Sequence, residues 1–405
     1  MKPLTLLIIG AGIEQVPAIV LAKKMGLYVV VSDMNPSAPG FKYADDYFLA
    51  STYDVKATVK QAIRFNKTSR KINGVITVAS DIPLTVAKVA KALDLPGNSI
   101  ESATLAQDKL LMKQHFKKYG VPIPYFSQVN NKNNFKKLIG SLGFPIVSKP
   151  ADSRGARGVL LLNKNVDLEW AYNYSKSFSP TQRVMIEEYL EGPQISTESF
   201  IYDGFSITPG IADRNYGDLK KYLPFILENG GTTPSQLPEF NQNAIKKTAE
   251  LAAAVLGIKR NSAKGDIVLT KDGPKVIEIA ARISGGYFAT DSIPLVTGVN
   301  LVKKVIEVAL GRKPNLEELI PKNEMVLVQR YFFPKTGKLK EINGIKAVKK
   351  MEFVKLFKIY VNPGDIIGDI ENHPGRAGVF VVSGKNYKES LKNSEKVQKT
   401  LEFVV

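Results

Sequence analysis

Cysteine is absent from this 405-residue sequence. Its absence excludes disulfides, zinc–thiolate sites and a cysteine nucleophile. Histidine occurs only twice, as His115 and His373, which argues against a histidine-rich metal centre. Any metal must therefore rest on oxygen ligands, which suits Mg²⁺, a hard cation held by one or two carboxylates together with substrate phosphates. No apolar run approaches the length of a membrane span, and no Gly/Ser-rich or Pro-rich tract points to disorder. Lys2 and the apolar residues after it could open a secretory leader. However, Gly10, Gly12 and Glu14 end the run early and no small-residue cleavage site follows, so Met1 to Ile13 reads as a strand. A cytoplasmic protein with no membrane partner is expected. Acidic residues are outnumbered, 38 against 56 Lys and Arg, for a net charge of +18. Such a charge favours polyanions. Yet the lysines are scattered in ones and twos, as at Lys23-Lys24, Lys136-Lys137 and Lys303-Lys304, the pattern of solvated helix faces without interleaved aromatics. No nucleic-acid partner is expected.

The length calls for more than one core, and three units are expected. Apolar runs alternate with amphipathic stretches through the first hundred residues: Leu4 to Ile9, Val16 to Met25, Tyr28 to Ser32, Val55 to Ile63, Gly74 to Ala79 and Pro83 to Leu93. This predicts a parallel α/β sheet. Its first turn, Gly10-Ala11-Gly12-Ile13-Glu14-Gln15, has two glycines of the dinucleotide fingerprint but Gln15 in place of the third, and Asp33 ends the second strand. Glu14 and Asp81 fall at carboxyl ends of strands, where open α/β sheets bind ligands. A helix is predicted from Leu105 to Tyr119, then a mixed unit with strands at Pro145 to Lys149, Val184 to Leu190 and Ile195 to Phe200, a helix from Ala244 to Leu256, and a hairpin from Asp266 to Ala280. Gly311 to Asn323 is the boundary segment. From Met325 onward the chain reads as strands and one helix, with no chemistry of its own.

The hairpin is the most informative feature. Its turn centres on Asp272 and leaves Asp266 and Glu278 six positions to either side, as cross-strand partners. Opposed carboxylates repel unless a cation lies between them, and Mg²⁺ would fill that place. Arg282 and the small residues Ser284, Gly285 and Gly286 follow. A guanidinium there can grip phosphoryl oxygens by paired hydrogen bonds. Upstream, Lys149 ends an apolar strand, and the loop Ser153-Arg154-Gly155-Ala156-Arg157-Gly158 can lay backbone N–H groups over phosphates. Met185-Ile186-Glu187-Glu188-Tyr189-Leu190 reads as an apolar strand running into an acidic segment, a type that can bind adenine through its backbone while Met185 and Ile186 pack on the ring.

In this order, the lysine of Gln107-Asp108-Lys109, Lys149, the glycine loop, the Glu187 to Gly192 hinge, and Asp266 and Glu278 followed by Arg282 resemble the ATP-grasp superfamily. Within it, Gly192 to Ser199 and Ile277 to Gly286 look most like carboxylate-amine ligases related to L-amino acid ligases. The resemblance implies a Rossmann-like pre-ATP-grasp domain at 1–105, an ATP-grasp domain at 106–318 with a lid at about 120–190, and a small C-terminal α+β domain at 319–405, an α/β and α+β fold overall. It implies that ATP and Mg²⁺ are used to activate a carboxylate as an acyl phosphate, which a small-molecule amine then attacks, and that the enzyme is a homodimer. Lys109, Lys149, Ser153, Gly155 and Gly158 would hold phosphates; Glu187, Glu188 and Leu190 the adenine; and Asp266 and Glu278 the metal. Arg282 would contact the transferred phosphoryl group. Glu14, Asp81, Glu198, Arg214 and Ser284 to Gly286 would border the substrate. Gln194 stands where the family usually supplies a ribose-binding glutamate, and Ala280 where many members carry asparagine. Two rival readings accompany this one: an NAD-dependent oxidoreductase, from Gly10, Gly12 and Asp33, and a non-catalytic binding protein that keeps the fold, from Gln194 and Ala280.

Overall fold

A computed structural model describes residues 2–322 and 325–405. Met1 and Asn323, at the ends of two segments discussed above, lie outside the described residues. Apolar residues in Thr5–Ile9 point alternately to two faces, Leu6 and Ile8 to one core, Leu7 and Ile9 to another. A strand apolar on both faces needs cover on both, and here it is central to a four-stranded parallel sheet. The order is Asp46–Leu49, Tyr28–Asp33, Thr5–Ile9, Gly74–Ile76. The edge strand Asp46–Leu49 was not foreseen, because its short sequence DYFL is half exposed and carries little pattern.

The helix expected from Leu105 to Tyr119 is two helices, Ile100–Gln107 and Lys109–Lys118. Asp108 separates them: its backbone is extended and Oδ1 accepts from the N–H groups of Leu110 and Leu111, both at 3.0 Å. An aspartate satisfying those otherwise unpaired donors favours a new helix start over a continuous helix. Lys109 is thereby placed at the first turn of the second helix, facing inward. The helix expected from Ala244 starts earlier, spanning Glu239–Val255 behind Pro238.

Residues Phe126–Val129, Val184–Glu188, Ile146–Pro150 and Leu160–Leu162 form a separate antiparallel sheet, backed by helices Lys132–Leu142 and Leu168–Ser177. The largest sheet has eight strands, in the order Gly273–Ala280, Arg260–Thr270, Gln194–Tyr202, Phe205–Arg214, Gly231–Thr233, Val326–Tyr331, Gly378–Gly384, Val354–Ile359. Its last three strands belong to the C-terminal region, joined to the central unit where Gly231 pairs with Gln329. Gly230 permits this junction: its φ is +70°, and a Cβ there would collide with the Gln329 carbonyl. Helix Leu301–Ala309 packs back beneath the N-terminal sheet, sharing one core with Leu6, Ile8 and Val31.

Candidate functional site

Residues from the N-terminal sheet, the central sheets and the C-terminal strands line one cavity of about 910 Å³. The hairpin Arg260–Thr270 and Gly273–Ala280 sets Asp266 directly opposite Glu278, with a bulge immediately after Asp266, and both residues line the cavity. Asp266 accepts from Arg214 at 2.7 Å and from Lys264. Burial works against its charge, but Lys264 and Arg214 overrule it and hold the carboxyl well below its usual range. Glu278 lies 3.4 Å from the Lys109 ammonium, which also donates to the Ser153 carbonyl at 2.6 Å. Lys109 thus ties Glu278 to the glycine loop.

Lys149, the last residue but one of its strand, is buried and bonded to Glu187 at 2.6 Å. Sequence reading missed the other lysine on that carboxylate. Lys113 is fully buried, donates to the Val276 carbonyl at 2.8 Å, and stands 3.4 Å from the free Glu187 oxygen, at an angle outside hydrogen-bond geometry. Burial pulls its ammonium down to about 8, against the pull of Glu187. Its signal was legible: one turn after Lys109, it shares the helix's buried face with Leu110, Met112 and Phe116.

Arg282 pairs with Asp81 through Nε at 2.6 Å, joining the N-terminal unit to the central one. Burial opposes the Asp81 charge, yet Arg282 and Lys109 keep its carboxyl below the ordinary value. Arg214 bridges Glu228 at 2.6 Å and Asp266 at 2.7 Å. Glu14, Ser153, Gly155, Glu188, Leu190, Gln194, Ser284, Gly285 and Gly286 also line the cavity.

Four expectations are corrected. Glu198 is not at the cavity: it is wholly buried below it, accepting from Ser262 Oγ and the Ser284 N–H, and burial raises its pKa. Gly158 does not line the cavity either; its φ is +74° and a Cβ would lie 2.7 Å from Pro150, so glycine there answers a packing demand. Met185 and Ile186 are wholly buried in neighbouring cores, because their strand lies between two others and is covered on both faces. Pro124, Val147, Leu190, Val268 and Ile277 supply the apolar wall instead. The C-terminal region, read as carrying no chemistry, contributes Gln329, Tyr331, Tyr360, His373 and Arg376 to the lining. At the Gly10 turn the Gln15 side chain sits over Gly10, and Asp33 accepts from the Ala11 N–H at 3.0 Å.

No cluster of three or more metal-binding side chains occurs among the described residues. The Asp266 and Glu278 pair still fits magnesium, because that ion needs only one or two protein carboxylates when phosphates complete its oxygen shell. Lys109, Lys149 and Arg282 line the same cavity and bring the positive charge that phosphates require.

Residues 106–286 match the ATP-grasp domain family and residues 330–405 match the L-amino acid ligase C-terminal domain 2. A phosphoribosylamine–glycine ligase of Thermococcus kodakarensis is 26% identical over 84% of this chain and 80% of its own. The alanine–anticapsin ligase of Bacillus subtilis is 27% identical over 65% of this chain and 58% of its own. The crystal structure of an L-amino acid ligase from Bacillus licheniformis superposes with a TM-score of 0.84 at 22% identity, covering 100% of this chain and 99% of that one. With those matches added to the opposed carboxylates and the lysines around them, the chain carries an ATP-grasp domain at residues 106–286 followed by an L-amino acid ligase C-terminal domain at residues 330–405.

Proposed function

We propose that this protein is an ATP-dependent ligase that joins a small carboxylic acid to an amine through an acyl phosphate, releasing ADP and phosphate. The observation that carries the reading is the register of Asp266 against Glu278 within one cavity that also holds Lys109, Lys149 and Arg282. A carboxylate does not acylate amines at useful rates because its oxygen leaves poorly. Attack of the acid on the γ-phosphorus expels ADP and converts that oxygen into part of a phosphate leaving group. The amine then attacks the acyl carbon, inorganic phosphate departs, and the nitrogen loses a proton.

In this assignment Asp266 and Glu278 hold magnesium, which when bound supplies positive charge against the phosphate oxygens. Lys109 and Lys149 bind phosphate. Arg282, oriented by Asp81, stabilises charge that spreads over the transferred group. The loop from Ser153 to Arg157 covers the phosphates and excludes water, with Gly155 already bonded to the C-terminal unit through the His373 N–H at 3.1 Å. Leu190 and the hinge hold the base, and Gln194 bonds the ribose hydroxyls. We assign 1–105 to substrate binding, 106–318 to nucleotide binding and 319–405 to closing the cavity. No helix of the described residues is long and apolar enough to cross a membrane. A cytoplasmic homodimer accords with the family resemblance, and sedimentation velocity tests the dimer.

ADP release is expected only when an acid and an amine are both supplied. Glu278→Gln should abolish it; a folded Glu278→Gln enzyme that turns over ATP at the original rate removes the metal assignment.

A further inference from the structure

The carboxylates around the cavity are almost all neutralised from within. Asp81, Glu187, Glu188, Glu228, Asp266 and Glu278 each lie within ion-pair reach of a lysine or arginine. Asp213 has no such partner, but one oxygen accepts from Ser235 Oγ and the other from the Gln236 N–H. Glu14 differs from all of these. Its Oε2 accepts from the Gly286 N–H at 3.1 Å, and among the described residues no cation pairs with the group and no donor meets Oε1.

Its surroundings hold two tyrosines and one arginine, Arg376. Tyr331 and Tyr360 line the same part of the cavity, with Gln329 donating to the Tyr331 hydroxyl at 2.8 Å. Burial raises both phenols above their ordinary pKa, and the Glu14 charge adds to the rise, so the rings stay neutral beside it. The Arg376 guanidinium already covers the Tyr331 ring, 3.4 Å from its centroid, which leaves the Glu14 carboxylate with its open oxygen and the neutral Tyr360 ring to attract a compact cation. Glu14 is also held next to the reacting centre. Gly286 follows Arg282 by four positions, the Ala79 N–H donates to the Ile283 carbonyl at 3.1 Å, and a Cβ on Gly285 would collide with the Glu14 carboxylate.

We propose that Glu14, Gln329, Tyr331 and Tyr360 form the amine-acceptor subsite, and that its ligand is a primary amine that arrives as the ammonium ion. The proposal rests on the ligase reading. It makes the subsite a joint product of the first turn of the N-terminal sheet and the C-terminal unit, so that the region from Met325 onward selects the acceptor. Glu14 holds the cation on arrival, and Tyr331 and Tyr360 set how much bulk the carbon next to nitrogen carries.

The test separates the two half-reactions. Wild-type and Glu14→Gln proteins are given Mg-ATP and the twenty proteinogenic amino acids as acids, with hydroxylamine, which is mostly uncharged at neutral pH and traps acyl phosphates as hydroxamates. The acids that yield hydroxamate are then offered the same amino acids and putrescine as amines. We expect Glu14→Gln to raise the amine KM by about ten-fold or more relative to any fall in hydroxamate rate, and Glu14→Asp to recover part of the loss. If Glu14→Gln is insoluble, Tyr360→Leu, at a position 37% exposed, is read by the same ratio. An equal effect on both half-reactions overturns the subsite, as does a wild-type enzyme that makes hydroxamate yet joins none of the amines. A wild-type enzyme that makes no hydroxamate overturns the ligase reading itself.

Discussion

Replacing Lys113 by methionine removes a charge that folding has forced out of water. The Lys113 side chain is fully buried, and burial draws its pKa from 10.5 down to about 8. The folded protein therefore binds that proton less tightly than the unfolded chain does. Below about pH 8 both states carry the charge, and the folded state bears a cost of about 3 kcal/mol at about 1.4 kcal/mol per pKa unit. Above it, the folded state releases the proton while the unfolded chain keeps it, so the cost falls as pH rises. Between about pH 7 and about pH 9.5 the relief amounts to about 2 kcal/mol. Methionine fills a similar volume and cannot titrate. Its loss of the hydrogen bond to Val276, worth about 1 to 3 kcal/mol, shifts stability equally at both pH values and cancels from the comparison. Urea denaturation of both proteins at the two pH values should show wild type gaining about 2 kcal/mol relative to Lys113→Met at the higher one. A difference between the proteins that stays constant to within about 0.5 kcal/mol would refute a protonated, desolvated Lys113 beside Glu187.

Arg282→Lys keeps a positive charge but loses the planar fork that engages Asp81, so the rate of ADP formation at saturating substrates should fall on the order of 100-fold; an unchanged kcat rules out the phosphoryl role. Asp108→Ala removes both cap bonds to Leu110 and Leu111, and should lower stability by about 1 to 2 kcal/mol in urea titrations and raise the KM for ATP, because Lys109 opens that helix. Glu198→Gln tests a buried carboxyl whose pKa is raised by burial. Wild type should lose stability as pH rises from the unfolded carboxyl value through the folded one, since the unfolded chain ionises first. Glu198→Gln should flatten that limb in pH-dependent calorimetry, and identical profiles count against a desolvated Glu198.

How legible a residue was depended on how local its signal is. The register of Asp266 against Glu278 could be counted from one turn, since hairpin pairing is set by the residues within it. The break at Asp108 could not, because a cap and a continuing helix compete by small energies that only the fold resolves. Glu198 and Gly158 sit in stretches whose sequence suits a binding site equally well. Their exclusion from the cavity comes from neighbouring strands and from Pro150, which lie elsewhere in the chain.

By itself the sequence determined the parallel N-terminal sheet, the lack of any thiolate ligand, and the carboxylate pair on its hairpin. These follow from periodicity, from the absence of cysteine, and from spacing inside single elements. Only the tertiary structure decided that Lys113 shares Glu187 with Lys149, that Asp81 orients Arg282, and that Tyr331, Tyr360 and Arg376 of the C-terminal unit complete the cavity. Each of those contacts joins residues far apart in the chain. Burial and the neighbouring charges that set their chemistry exist only once those distant segments are packed together.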